Sequence, residues 1–202
     1  MQPHAANINI DDRVLIGRCR SGDISAMERL IIKYQNRIFN VILKICGNND
    51  DAAELTQETF VKVIESLGKF REKSSFYTWV FRIAVNLTLT YCKRNVKLGF
   101  RSLEAEEKDD QGEARGQLKR ILIDEDSPDP ALMAQNAELC ELAVRAMMKL
   151  EDEQRTVLVL RDIEGMQYAE ISDVLGVELG TVKSRLSRAR GNLREIMETL
   201  AR

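Results

Sequence analysis

The sequence predicts an all-α protein: two small helical domains joined by a flexible acidic linker. Three observations predict it. Apolar residues recur at i, i+3 and i+4 over most of the 202 residues, the spacing of a helix with one buried face. Three prolines, eleven glycines and an aromatic share of 5% are too few for a sandwich or barrel, which needs a turn about every 8–12 residues and strands rich in aromatic and β-branched side chains. Between residues 96 and 130 the periodicity lapses, and acidic residues, glycine and Pro128-Asp129-Pro130 collect there. Such a segment buries too little to offset its ordering entropy, which makes it a linker. The expected boundaries are a disordered tail at 1–10, a first domain at 11–97, the linker at 98–130 and a second domain at 131–202.

In chain order, Val14, Leu15 and Cys19 predict a short first helix closed by Ser21-Gly22-Asp23. Ser25 is expected to cap the second, whose stripe Met27, Leu30, Ile31, Tyr34, Ile38, Val41, Ile42, Ile45 follows helical spacing. Gly47-Asn48-Asn49 ends it. Asp51-Ala52-Ala53-Glu54 resembles a capping box and opens a third helix to about Leu67. Ser74 or Ser75 can cap a fourth, reaching about Arg94. Beyond the linker, helices are expected over Ala131 to Lys149, Asp152 to Arg161, Gln167 to Leu175 and Leu179 to Leu200.

Hydrophobic residues at 44% and charged residues at 31% describe a soluble globular chain. Apolar runs such as Val157 to Leu160 fall far short of the roughly 20 residues that cross a bilayer. Met1 to Ile10 lacks the features of a secretory signal, so the expected location is cytoplasmic and the protein is not itself membrane-embedded. Cys19, Cys46, Cys92 and Cys140 lie far apart without a zinc spacing and read as reduced, partly buried thiols. The one histidine, His4, stands in the polar N-terminal tail. Ser-His, Cys-His and His-metal chemistry each need a histidine held in a packed site. No catalytic residue, cofactor or metal is expected.

Net charge is −2, but its distribution is uneven. Lys69 to Arg101 holds eight basic residues against Glu72 alone, together with seven of the chain's eleven aromatics. Glu104 to Pro130 carries ten acidic and four basic residues. Leu179 to Arg202 carries six basic residues against Glu195 and Glu198. Alternation on this scale is the electrostatic footprint of a polyanion partner.

Tyr168 to Gly176 reads as a two-turn helix stopped by a glycine suited to the left-handed conformation, and a second helix begins within three residues. That is helix-turn-helix spacing, with Ala169, Ile171, Val174, Val182 and Leu186 expected to face inward. On a 100° wheel Val182, Leu186, Ala189, Leu193 and Ile196 share one face. Thr181, Ser184, Ser187 and Arg188 fall opposite, flanked by Lys183 and Arg185. Such a helix fits the major groove, where arginine bridges guanine and Ser or Thr donates to phosphate or base.

In the helix from Phe76, the residues Phe76, Val80, Ile83, Ala84, Leu87 and Tyr91 form a core stripe. Arg82, Asn86 and Lys93 lie together on another face, with Trp79 at its border. One face cannot also bury Phe70, Tyr77, Trp79 and Phe81. Cations interleaved with rings suit single-stranded nucleic acid, since cations track phosphates and rings stack on unpaired bases.

At these residues the chain resembles the extracytoplasmic-function (ECF, group 4) sigma factors of the sigma-70 family. Asp51-Ala52-Ala53-Glu54-Leu55-Thr56-Gln57-Glu58-Thr59-Phe60 is similar to the helix that docks on the β′ coiled coil of core RNA polymerase, implying contacts from Asp51, Glu54, Leu55, Gln57, Glu58 and Phe60. Phe70 to Trp79, with Arg82-Ile83-Ala84-Val85-Asn86, resembles the segment that melts and reads the −10 element. Phe70, Arg71, Lys73, Ser74, Ser75, Tyr77, Trp79, Arg82, Asn86 and Lys93 are the residues this implicates, with the loop from Phe70 to Ser75 around a flipped non-template base. Tyr168-Ala169-Glu170-Ile171 and Gly180 to Arg190 resemble the helix-turn-helix that reads the −35 element, implicating Thr181, Lys183, Ser184, Arg185, Ser187 and Arg188. Ser187 stands where many relatives carry a bulkier side chain.

The resemblance implies that the first domain is sigma region 2 and the second sigma region 4. It implies a dissociable initiation subunit that binds core polymerase at the β′ coiled coil and β flap, and promoter DNA both as duplex and as single-stranded non-template strand. It further implies an anti-sigma partner. The acidic linker would run through the RNA exit channel as a nucleic-acid mimic, although a solvated linker accounts for the same charge count. Two other classes fit less of the chain. An operator-binding helix-turn-helix regulator leaves the helix from Asp51 and the aromatic cluster unexplained. A helical enzyme lacks histidine, a glycine-rich phosphate loop and a metal-ligand cluster.

Overall fold

The computed structural model describes residues 5–72, 74–97 and 130–202, so Lys73 and all of the expected linker at 98–130 except Pro130, which opens a helix, lie outside the described residues. Among the described residues every regular element is helical. The first unit contains α1 (Ala5–Arg20), α2 (Ile24–Cys46), α3 (Asn49–Ser66), a 3-10 turn at Leu67–Lys69, and α4 (Phe76–Lys97). The second contains α5 (Pro130–Met148), α6 (Asp152–Leu158) passing into a π turn at Val159–Ile163, α7 (Tyr168–Leu175) and α8 (Leu179–Leu200).

The helix starts show which local rule wins. α1 begins at Ala5, within the segment expected to be a tail, because no proline interrupts residues 5–20. Asp23, not Ser25, caps α2: its carboxylate accepts from the Ala26 N–H at 3.1 Å. The two bonds it makes, to Ala26 N–H and to Arg18, hold its carboxyl below the usual carboxylate range. Asn48, not Asp51, caps α3, its side-chain oxygen accepting from the Asp51 N–H at 2.9 Å. In both cases the residue with extended backbone just outside the first turn takes the role, as cap geometry requires. Ser75 caps α4 as expected, accepting from the Thr78 N–H at 3.0 Å.

Most of the α2 stripe lies in the core: Ile38, Val41, Ile42 and Ile45 are wholly buried, Leu30 and Tyr34 nearly so, and Met27 and Ile31 half-buried. Full burial of each aliphatic side chain contributes about 1.5–3 kcal/mol. Tyr34 also donates to Asp12 of α1, which Lys33 approaches at 2.5 Å, so α1 is tied to α2 by a polar pair as well as by Leu15 and Ile16.

α4 departs from a one-sided helix. Phe76, Val80 and Ala84 are buried along the predicted stripe, but Phe81, Val85, Thr88 and Cys92 are buried too. α4 is packed on more than one side, by α2 and α3 of its own unit and by α7 and α6 of the other. A single apolar cluster therefore runs from Leu15 in α1 to Ala189 in α8. Where α2 ends, Gly47 takes the left-handed conformation at φ 78°, and a Cβ there would lie 2.8 Å from the Met148 sulfur. Glycine is favoured at this point by the left-handed turn.

Candidate nucleic-acid interface

Arg155 fixes the second unit's local frame. It is 2% exposed, and its guanidinium donates to the carbonyls of Met147 (3.0 Å), Met148 (2.9 Å), Leu150 (2.7 Å) and, across the unit boundary, Ile45 (2.5 Å). Those oxygens belong to the last turns of α5 and α2 and to the residues just after, where helix carbonyls lack intrahelical partners and a cation is favoured.

The turn between α7 and α8 follows the sequence reading. Gly176 is left-handed at φ 65°, its N–H bonds the Ser172 carbonyl at 2.9 Å, and Ser172 Oγ donates to the Val177 carbonyl at 2.6 Å. Glu170 accepts from the Gln167 N–H at 2.9 Å and closes the start of α7. Ile171, Val174, Val182, Leu186 and Ala189 are buried, locking the two helices together. Ala169, expected inward, is exposed, because two turns of helix bury only one narrow stripe.

On α8, Lys183, Ser184, Ser187 and Arg188 are exposed and Thr181 is half-buried. Ser184 Oγ donates to the Thr181 carbonyl at 3.0 Å. Arg185 does not join that outer face: it turns to the flank and pairs with Glu153 of α6 at 2.8 Å. A groove of about 400 Å³ opens beside the outer face, lined by Tyr168, Lys183, Ser187, Arg190 and Arg194. Asp162 holds Arg190 by two oxygens (3.0 and 2.5 Å), and the bond raises the Arg190 pKa. The Arg161 guanidinium lies 4.8 Å from the Tyr168 ring. Tyr168, Arg190 and Arg194 were absent from the predicted set. The i, i+7, i+11 spacing of Lys183, Arg190 and Arg194 was the signal available for two of them.

On α4, Arg82, Asn86 and Lys93 are exposed along one face, as predicted. At its head lies an aromatic cluster: Trp79 is 4.9 Å from Phe70 and 5.7 Å from Phe76, ring centre to ring centre. Phe70 is 5% exposed and is a core residue here, not a surface ring. Arg71 is exposed and Ser74 and Ser75 are half-buried. The loop they form is held from α1: Arg20 donates to the Phe70 carbonyl and pairs with Glu72 at 3.2 Å. Glu72 takes a left-handed backbone at φ 56°, an unusual state for glutamate that these contacts maintain. Tyr77 turns away from the loop toward the second unit. The Arg37 guanidinium lies 4.4 Å from its ring, and burial pushes its hydroxyl pKa up.

The predicted docking helix, α3, divides into two faces. Glu54, Gln57 and Glu58 are exposed, next to the exposed apolar side chains of Val61 and Ile64. Asp51 is half-buried, and Tyr91, raised to about 12 by burial and by its bond to Asp51, lies beside it. Leu55 (4%) and Phe60 (7%) point into the bundle instead. They fall on the helix face that carries Ala52 and Val63, so they build the core and offer no surface to a partner. Among the described residues no helix is long and apolar enough to cross a membrane.

With this geometry in view, the comparisons with known proteins are direct. The pattern described as Sigma-70 region 2 matches residues 30–97, and Sigma-70, region 4 matches residues 140–193. The RNA polymerase sigma-H factor of Pseudomonas aeruginosa is 32% identical over 191 residues, covering 95% of this chain and 96% of that protein. The ECF RNA polymerase sigma-E factor of Escherichia coli K12 is 30% identical over 197 residues, covering 96% and 97%. In fold the chain is similar to CnrH, solved in complex with the cytosolic domain of CnrY: TM-score 0.61, 22% identity, 94% of this chain and 98% of that one covered. It is equally similar to the sigma factor RpoE of Bartonella quintana, solved with the anti-sigma factor NepR: TM-score 0.61, 20% identity, 87% and 98% covered. Two family patterns fall on the two helical units in order, and relatives match over nearly their whole length. The chain belongs to the sigma-70 family, among its ECF RNA polymerase sigma factors.

Proposed function

We propose that this ECF sigma factor binds core RNA polymerase through the exposed acidic face of α3 and directs it to promoters by two separate surfaces. The outer face of α8 reads the −35 duplex, with Arg188 and Lys183 as cations and Thr181, Ser184 and Ser187 as hydroxyl donors. The exposed face of α4, with Arg82, Asn86 and Lys93, tracks the −10 strand. Trp79, together with the loop at Arg71, Ser74 and Ser75, receives an unpaired base. One observation carries this reading: two outward-facing basic helix faces on two different units, one on a helix-turn-helix and one beside an aromatic cluster. Sigma factors are initiation factors rather than enzymes, and this chain acts where DNA is transcribed, in the cytoplasm. The Bartonella relative was solved with an anti-sigma factor, which supports a partner of that class here. The acidic linker completes the reading as the connector between the two surfaces.

Run-off transcription with core polymerase on promoter fragments tests the reading, since added protein must create new start points. Trp79→Ala is expected to leave closed-complex binding intact and to weaken strand opening by about 1 kcal/mol, the low end for one stacked base because Phe70 and Phe76 remain. Permanganate reactivity of −10 thymines reads it; undiminished reactivity would remove Trp79 from the melting surface.

A further inference from the structure

Resting on the reading above, in which the loop from Arg71 to Ser75 receives an unpaired base, we propose that Arg20 is a positioning residue for that loop. It stands at the C-terminal end of α1, fifty residues earlier in the chain. It fixes the loop backbone around Arg71, and through the backbone the choice of −10 base, without touching DNA itself.

The Arg20 guanidinium forks across the loop. Nη2 donates to the Phe70 carbonyl, and Nη1 donates to Glu72 Oε1 at 3.2 Å. These two acceptors belong to the residues on either side of Arg71, whose own side chain is exposed. One rigid planar group thus holds two points of the chain, which a lysine ammonium could not do with the same geometry. Arg13 approaches the other Glu72 oxygen at 3.8 Å, but at 77% exposure it adds little. The loop is also pinned at its ends. The Phe70 ring packs against Phe76 and Trp79, and Ser75 caps α4. Arg20 supplies the hold in the middle.

Glu72 makes that hold consequential. Among the described residues it is the one non-glycine at positive φ, 56°. A side chain disfavours this left-handed state, so an unheld glutamate would keep it in about one chain in ten. Strain of this kind persists only where the surroundings over-determine the backbone. Recognition scales with the fraction of chains that hold the competent conformation. Arg20 therefore keeps the loop ready before any strand arrives.

The test compares holoenzymes of the full-length protein on a promoter with its native −10 element and on one with that element substituted. Run-off yield at subsaturating holoenzyme is the readout. Wild type should favour the native template. Arg20→Ala is expected to lower the native yield about tenfold and the substituted yield little, so that selectivity falls. Its affinity for core polymerase should not change. The Arg20 side chain is 35% exposed, and circular dichroism should show helix retained. In a Glu72→Gly background the same Arg20→Ala change should cost no more than about twofold, because glycine takes the left-handed backbone unaided. In a Glu72→Gln background, which removes the charge but keeps the backbone penalty, it should still cost about tenfold. Arg20→Lys should fall between wild type and Arg20→Ala, and it carries the comparison if the alanine variant loses helix. Wild-type selectivity in Arg20→Ala, or an undiminished loss in the glycine background, would overturn the positioning role while wild-type selectivity kept the −10 reading. Equal yields from wild type on the two templates would overturn both.

Discussion

Arg155→Ala is expected to lower the stability of the full chain by about 3–5 kcal/mol, because several buried carbonyls lose their donor at about 1–3 kcal/mol each. The guanidinium serves four carbonyls at once, two in the last turn of α5, one just after it at Leu150, and one, Ile45, at the end of α2. Alanine removes that donor; the Met147 carbonyl still accepts from the Leu150 N–H at 3.2 Å, but each oxygen left unsatisfied costs about 1–3 kcal/mol before relaxation or water entry. Arg155→Lys should recover only part of the loss, because an ammonium is a point charge and cannot fork toward four acceptors. Chemical denaturation followed by circular dichroism reads both variants. Wild type and Arg155→Ala should both unfold in a single transition, since the apolar cluster still spans the two units in the variant. A loss below about 1 kcal/mol would show that water replaces the guanidinium and that it is not the keystone of the boundary.

Arg188→Ala is expected to cost about 1–3 kcal/mol in −35 recognition, the range for one arginine reading one guanine. The effect should vanish on a template whose −35 element is scrambled, while wild-type protein discriminates the two templates. Arg188 lies on the outer face of α8, with Nε reaching the Ser184 carbonyl at 3.4 Å. Arg185→Ala is the informative control. Arg185 pairs with Glu153 on the flank, away from the outer face, so its loss should leave discrimination between the native and scrambled elements unchanged. Holoenzyme titration on the two templates measures all of this. Equal losses from both variants on both templates would reduce Arg188 to a phosphate contact.

These expectations draw on two kinds of information. The faces of α8 follow from periodicity alone, because its buried residues Val182, Leu186 and Ala189 pack against neighbours close in the chain. The same holds for the α2 stripe and for the Gly176 turn, whose left-handed backbone only a glycine or asparagine adopts readily. α4 shows where periodicity stops. Its first stripe was legible, but Phe81 and Cys92 are buried as well, because α2, α3 and the helices of the second unit all pack around α4. The docking helix shows the reverse error: likeness to a family motif spans every residue of Asp51 to Phe60, while a helix offers only one side, so Leu55 and Phe60 belong to the core.

By itself, then, the amino-acid order determined where helices form, which residues face outward on α8 and on the exposed side of α4, and how charge is distributed along the chain. The first two depend on 3.6-residue spacing and on local capping chemistry, the third on composition alone. Only the tertiary structure decided that Arg155 reaches Ile45, that Glu164 gathers Arg37 and Lys44, and that Arg185 turns to Glu153. Two of these three join residues more than 100 positions apart. A charged side chain's partner is chosen by which surfaces are buried together, and no local pattern in the chain encodes that choice.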